Sequence, residues 1–172
     1  MGRVTLGKKK YAEIHKEMED LVLQADELRQ SLSNLINEDS AAFERVMQAY
    51  KLPKETEEQD HVRGVAIQAA TLKAAEIPLE TCQEAVKLLR LAAVAAEKGN
   101  KNAITDAGTA SLLAVAAISS AGANVRINLQ ALTDDEVRTK IVDQLENIET
   151  ETRKLDKQIK SHLKTRSQID LL

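Results

Sequence analysis

The chain is predicted to be all-α, an up-and-down helical bundle with long terminal helices. Three observations lead there. Ile14, Met18, Leu21, Ala25, Leu28, Leu32 and Leu35 advance by four and three residues, which lines up one apolar stripe. Val137, Ile141, Leu145, Ile148, Leu155, Ile159 and Leu163 form a second stripe, opposite a face dense in alternating charge. No segment carries a period-two pattern strong enough to compete as a sheet.

The elements follow in order. Asp39 is read as a cap for the turn containing Phe43, Val46 and Met47. Leu52-Pro53-Lys54 breaks the chain. Val62, Val65, Ala66, Ala69 and Leu72 mark the helix of Glu55–Glu76. Pro78 is placed in the first turn of a following helix with the stripe Leu79, Cys82, Val86, Leu89, Ala93 and Ala96. Gly99 stops that helix. A central helix is expected from near Asn102 to just before Gly122, buried through its middle. Asn124–Leu129 is read as extended or as a broken turn. Thr133 and Glu136 suggest a capping box for the last helix. The alanine-rich stretches AIQAA, LAAVAAEK and LLAVAAIS predict closely approaching helix axes. The terminal stripes have the seam character that pairs subunits, so a homodimer is expected.

Composition narrows the function. The 172 residues make one domain, 1–172, with enough chain for a real core. A formal net charge of −3 and only 2% aromatic residues argue against a nucleic-acid binder, which needs a basic surface or stacking rings. Cys82 is the only cysteine and lies in an apolar helical pattern, so it is read as a core thiol. No apolar run follows the first basic residues, and no secretory signal is read. These features predict a cytoplasmic protein with no membrane association. His15, His61 and His162 are scattered over separate charged segments and are read as surface groups. No Cys/His metal spacing and no glycine-rich phosphate loop occur, so neither a metal nor a nucleotide cofactor is expected.

Gly99–Asn128 carries the candidate chemistry. Two polar clusters bracket an apolar, small-residue segment: Asn100, Lys101, Asn102, Thr105 and Asp106 on one side, Asn124, Arg126 and Asn128 on the other. Asn102 and Asp106 are four apart and share a helical face. They either cap the helix and complement its dipole, or handle a proton or a cationic ligand. In an extended NVRIN segment, Asn124, Arg126 and Asn128 share a side. They either satisfy the backbone of a crossover or offer an Arg fork, flanked by amides, to a carboxylate. Lys8, Lys9 and Lys10, with Lys54 and Arg63, form solvated surface or meet a polyanionic tail.

Four motifs in order then stand out: TLGKKKY (Thr5–Tyr11), AFERVMQAYKLPK (Ala42–Lys54), GNKNAITDAG (Gly99–Gly108) and NVRINL (Asn124–Leu129). Together they resemble the cyclodeaminase/cyclohydrolase family, over essentially the whole chain. That family comprises formimidoyltetrahydrofolate cyclodeaminases and methenyltetrahydrofolate cyclohydrolases, free-standing or fused behind a formiminotransferase.

The resemblance implies a helical homodimer acting on the one-carbon unit of a tetrahydrofolate, with no metal or redox cofactor. One activity closes 5-formimino-tetrahydrofolate to the 5,10-methenyl form and releases ammonia. The other opens the methenyl ring with water to 10-formyl-tetrahydrofolate. Asp106 is then expected to move the proton, positioned by Asn102. Arg126, Asn128 and Asn124, with Asn100 and Lys101, are expected to bind substrate, including a polyglutamate tail. A formiminotransferase is an expected partner. Family members usually begin with a PTPGGGS-like segment and a small-residue helix; this chain starts where that helix would end, so an N-terminally shortened member is expected. The alternative reading is a non-catalytic helical interaction protein that uses its two stripes as a seam, or an inactive truncated member of the family.

Overall fold

The computed structural model describes residues 1–171. It is built of α1 (Gly2–Thr5), a 3-10 turn at Lys9–Ile14, α2 (His15–Tyr50), α3 (Glu57–Lys98), a 3-10 turn at Lys101–Ala103, α4 (Ile104–Leu129) and α5 (Asp135–Ser167). No strand occurs among the described residues. The all-α expectation holds.

The predicted stripes do the packing. Met18, Leu21, Leu28 and Leu35 of α2 are buried, and Ile141, Leu145, Ile148, Ile159 and Leu163 of α5 likewise. The main core joins α3, α4 and α5 through Leu79, Cys82, Leu89, Ile104, Ile118, Val125 and Leu145. Cys82 is fully buried there, as expected, and its thiol faces the Ile118 carbonyl at 3.6 Å. Burial is the main reason its pKa rises to about 11.

Several boundaries differ from the sequence expectation. α2 runs through Asp39 without a break to Tyr50, because Ala42 and Ala49 continue its buried side. α3 begins with a capping box of Thr56 and Gln59 and runs 42 residues, straight through Pro78. Proline removes the N–H that would bond the carbonyl four residues back and crowds that carbonyl. Here that carbonyl is Ala74's, and Asn128 Nδ2 from α4 donates to it at 2.8 Å. A side chain on the neighbouring helix thus supplies the donor that Pro78 lacks, and the helix survives its proline.

α4 continues past Gly122 to Leu129, so NVRIN is helical and not extended. Its period-two alternation is too short to outweigh the helix that leads into it. α5 is capped by Asp134, whose Oδ1 accepts from the Glu136 and Val137 N–H groups at 3.0 Å, and not by Thr133. Thr133 instead donates through its N–H to Gln68 Oε1 at 2.9 Å, while Gln68 Nε2 donates to the Ala131 carbonyl at 2.9 Å. Gln68 therefore ties the α4–α5 loop to α3.

The middle of α4 is not buried all round. Lys101–Leu129 is long and apolar enough to span a membrane by length and composition, yet only 33% of its most apolar window is buried. One face packs on α3 and α5 through Ala107, Gly108, Ser111, Ala114, Ile118 and Ala121. The other face stands open, with Leu112 at 45%, Leu113 at 67% and Ile127 at 59% exposure.

Candidate functional site

The α3–α4 elbow carries the first polar cluster. Gly99 ends α3 at φ −68° and ψ −179°, an ordinary extended conformation, so steric room decides the residue there. A Cβ on Gly99 would lie 2.8 Å from the Ala95 carbonyl oxygen. Asn100 is 4% exposed and fully engaged: its N–H donates to Thr5 Oγ1 at 2.9 Å and Nδ2 to the Val4 carbonyl at 3.2 Å. Its Oδ1 accepts from the Asn102 N–H at 3.2 Å. The Lys101 N–H donates to the Tyr11 hydroxyl at 3.3 Å. The Arg166 guanidinium, from the end of α5, donates to the carbonyls of Ala96 and of Gly99, the latter at 2.9 Å. The elbow is pinned from three directions, and a cation there also complements the negative end of α3.

This frame sets two side chains on the first turn of α4 and the turn before it. Asn102 is exposed and does not cap α4; Ala103 holds that position without a side-chain bond. Asp106 is in the first turn of α4, where the helix dipole favours an anion. Its side chain is 56% exposed and its Oδ2 accepts from the α-ammonium of Met1 at 2.8 Å.

Asp106 lines a groove of about 440 Å³ between the N-terminal segment with α1, the first half of α2, the second half of α3 and the start of α4. Leu21, Val22, Leu88, Leu91, Ala92 and Ala110 supply apolar walls, and the Arg3–Asp26 ion pair also lines the groove. An apolar slot with a few polar groups at its mouth has the size and character of a small-molecule site. The carboxylate therefore sits at the edge of an apolar groove rather than inside the bundle.

The second polar cluster lies elsewhere. Twenty residues of helix separate Arg126 from Asp106, about 30 Å at 1.5 Å per residue. Within one chain the two clusters are not opposite walls of one cleft. Arg126 is bound to its own carboxylate, Glu149, in a fork of 2.8 and 3.0 Å. Asn128 is committed to the Ala74 carbonyl. Asn124 is exposed.

Two predictions arise from this cluster. Asn128→Ala leaves the Ala74 carbonyl without a donor and is expected to cost about 1–3 kcal/mol. In a Pro78→Ala background the helix regains its own N–H, so the cost of Asn128→Ala should shrink; urea denaturation of the four variants measures the coupling. The second concerns acid stability. The hydrogen bonds from Arg126 are the main reason the Glu149 pKa is lowered. A depressed carboxylate contributes stability that is present above its unfolded pKa and is lost as pH falls through its folded value. Glu149→Gln should therefore lower stability at neutral pH and flatten the acid limb of a stability–pH profile below about pH 4.

Sequence reasoning did not find Arg166 or the Asn128–Ala74 bond. Each joins residues more than fifty positions apart. Pro78 was the available signal for the second, since a proline inside a helix implies a carbonyl in need of a donor.

A family model described as formiminotransferase-cyclodeaminase matches residues 1–147. A methenyltetrahydrofolate cyclohydrolase from Methylorubrum extorquens is 37% identical, over 95% of this chain and 78% of its own length. A formimidoyltransferase-cyclodeaminase from Gallus gallus is 31% identical over 81% of this chain, which spans only 26% of that longer relative. The crystal structure of a formiminotetrahydrofolate cyclodeaminase from Thermotoga maritima superposes with a TM-score of 0.86 at 30% identity, covering 95% of this chain and 78% of that one. With the match spanning most of the chain and the helical order shared, the chain belongs to the formiminotransferase-cyclodeaminase family of folate one-carbon enzymes.

Proposed function

We propose that this chain is a methenyltetrahydrofolate cyclohydrolase whose proton-handling residue is Asp106. The observation that carries the reading is the place of Asp106, half-exposed in the first turn of α4 and lining an apolar groove. A 5,10-methenyl unit is a cationic carbon flanked by two nitrogens on a flat, largely apolar ring system. Apolar walls suit such a ring, and a carboxylate suits its positive charge. Water adds to the methenyl carbon as Asp106 takes its proton. The carbon–N5 bond then breaks, and a proton returns to N5 to leave 10-formyl-tetrahydrofolate. The net products are the formyl compound and one proton. Asn102, four residues before Asp106, orients the attacking water through its amide.

The cyclodeaminase is the second reading, favoured by the Thermotoga maritima structure. The same carboxylate would take the N10 proton as N10 attacks the formimino carbon, then pass it to the departing ammonia. Lys8, Lys9 and Lys10 are exposed, and Tyr11 brings their turn beside Lys101. This basic edge suits the glutamate tail better than Arg126, whose fork is occupied. A homodimer, a cytoplasmic location and a separate formiminotransferase partner belong to the same reading.

Incubating the purified chain with each substrate separates the readings. The methenyl chromophore should decay faster with enzyme than without it. Its appearance from 5-formimino-tetrahydrofolate with ammonia release would favour the cyclodeaminase, and no acceleration of either reaction would reject both.

A further inference from the structure

Two carbonyls at the α3–α4 elbow depend on a donor from outside their own helix. The last carbonyls of a helix have no partner within it, and buried ones need a partner elsewhere. Ala96 and Gly99 are both buried. In a continuing helix the Asn100 N–H would serve the Ala96 carbonyl. It donates instead to Thr5 Oγ1 at 2.9 Å, which ends α3 and leaves Ala96 without its donor. The Gly99 carbonyl is passed over as well, because the Ala103 N–H goes to the Asn100 carbonyl at 2.9 Å. Arg166 serves both, through Nη1 to Ala96 and through Nη2 to Gly99 at 2.9 Å.

The end of α5 keeps that guanidinium in place. Gln168, at φ 57° and ψ 30°, stops the helix just past Arg166 in the left-handed conformation. Its N–H returns to the Lys164 carbonyl at 2.9 Å and the Ile169 N–H to the Leu163 carbonyl at 3.3 Å. Ile169 and Leu171 then fold back onto the core. Leu171 joins Leu163 against Gly108, where a Cβ would lie 3.0 Å from Leu171 Cδ1. The last turn of α5 and the residues after it thus hold both the elbow and the first turns of α4.

We propose that Arg166 is a positioning residue, which sets Asp106 and Asn102 at the groove by fixing the angle at which α4 leaves α3. Ala95, next to Ala96, lines the groove from α3, and Asp106 and Ala107 line it from α4. Between those two walls lie only the elbow and the 3-10 turn that carries Asn102. The fork ties the last turn of α3 to Gly99, three residues before Asn102 and seven before Asp106. A planar guanidinium holds two acceptors at a fixed separation, which the single ammonium of a lysine does not. Thr5 and Tyr11 hold the N–H groups of Asn100 and Lys101, so loss of Arg166 shifts the elbow rather than releasing it. A shift of about 1 Å in a reacting group can lower a rate by about 10²-fold. Arg166 does not line the groove and acts through Asp106. This inference rests on the assignment of Asp106 as the proton-handling residue.

Steady-state kinetics on the folded full chain test it, with Arg166→Met and Arg166→Lys made alone and in an Asp106→Asn background. Arg166→Met should lower kcat by about 10–100-fold and leave KM within about twofold, because the groove walls are intact. Arg166→Lys, which keeps the charge but not the fork, should lower kcat less. In the Asp106→Asn background either change should alter kcat by less than about threefold, since no carboxylate remains to be placed. Gln68→Ala removes bonds to the main chain at the opposite end of α3 and should keep its kcat. If Arg166→Met does not fold, Arg166→Lys reads the same coupling. With Asp106→Asn impaired, wild-type kcat in the folded Arg166 variant, or losses that multiply in the double variant, would overturn the positioning role. An equal fall in Gln68→Ala would reduce the effect to general loosening and overturn it too. Full turnover by Asp106→Asn would instead reject the assignment of Asp106, and the inference with it.

Discussion

Asp106→Asn should lower kcat by about 10²–10⁴-fold with little change in KM. That is the range expected when a positioned acid–base group is lost. The substitution keeps the shape and a hydrogen-bond acceptor but removes the charge and the proton-accepting oxygen. Half-exposed and paired only at the groove mouth, Asp106 contributes little to folding, so the thermal midpoint should move by only a few degrees. Asn102→Ala should fall between the wild type and Asp106→Asn, lowering kcat by about tenfold through loss of water orientation. A steady-state series with circular dichroism on each variant reads all three. If Asp106→Asn keeps the full rate on both folate substrates, Asp106 is not the proton carrier.

Leu163→Ala carries the largest expected effect on stability, about 2–5 kcal/mol. Leu163 is fully buried in the core shared by α3, α4 and α5. It packs tightly against Gly108: a Cβ there would lie 2.7 Å from Leu163 Cδ2. Truncation opens a cavity beneath the first turns of α4, two residues from Asp106. Activity per folded molecule should therefore fall as well, while a leucine-to-alanine change at exposed Leu52 should do neither. Urea denaturation with activity measured on the native baseline separates the two losses. A cost below about 1 kcal/mol would mean that the α4–α5 contact collapses to fill the space.

The fold was legible wherever one face of a helix meets one core. The α2 and α5 stripes, the stop at Gly99 and the break at Leu52-Pro53-Lys54 all appear in the structure. Misread boundaries share a cause: a local signal was overruled by a distant partner. Pro78 resembles a helix start until Asn128 supplies a donor to the Ala74 carbonyl. Asp39 resembles a cap until the buried side of α2 is followed through Ala42 to Ala49. The alternation in NVRIN resembles a strand until Val125 and Leu129 are seen to continue the buried face of α4.

The candidate site was only partly legible. Asp106 stands in the first turn of α4 and lines a groove that no sequence pattern showed, while Asn102 lies in the 3-10 turn before that helix. The groove walls come from α1, α2, α3 and α4, segments distant in sequence. Asn100, Arg126 and Asn128 shared the polar signature of a site, yet the structure engages them with Val4, Glu149 and Ala74. Composition cannot separate an amide that awaits a ligand from one that serves a backbone carbonyl. Burial and partners do.

The central claim is that the folate occupies the groove beside Asp106. Calorimetry with 5-formyl-tetrahydrofolate tests it most directly, on the wild-type chain and on Ala25→Trp. Ala25 lines the groove and is only partly buried, so tryptophan there fills the slot from its solvent side. Binding by the wild type and at least about tenfold weaker binding by the folded variant, a loss of about 1.4 kcal/mol, is the predicted result. Equal affinity in the two proteins would place the folate elsewhere and contradict the account.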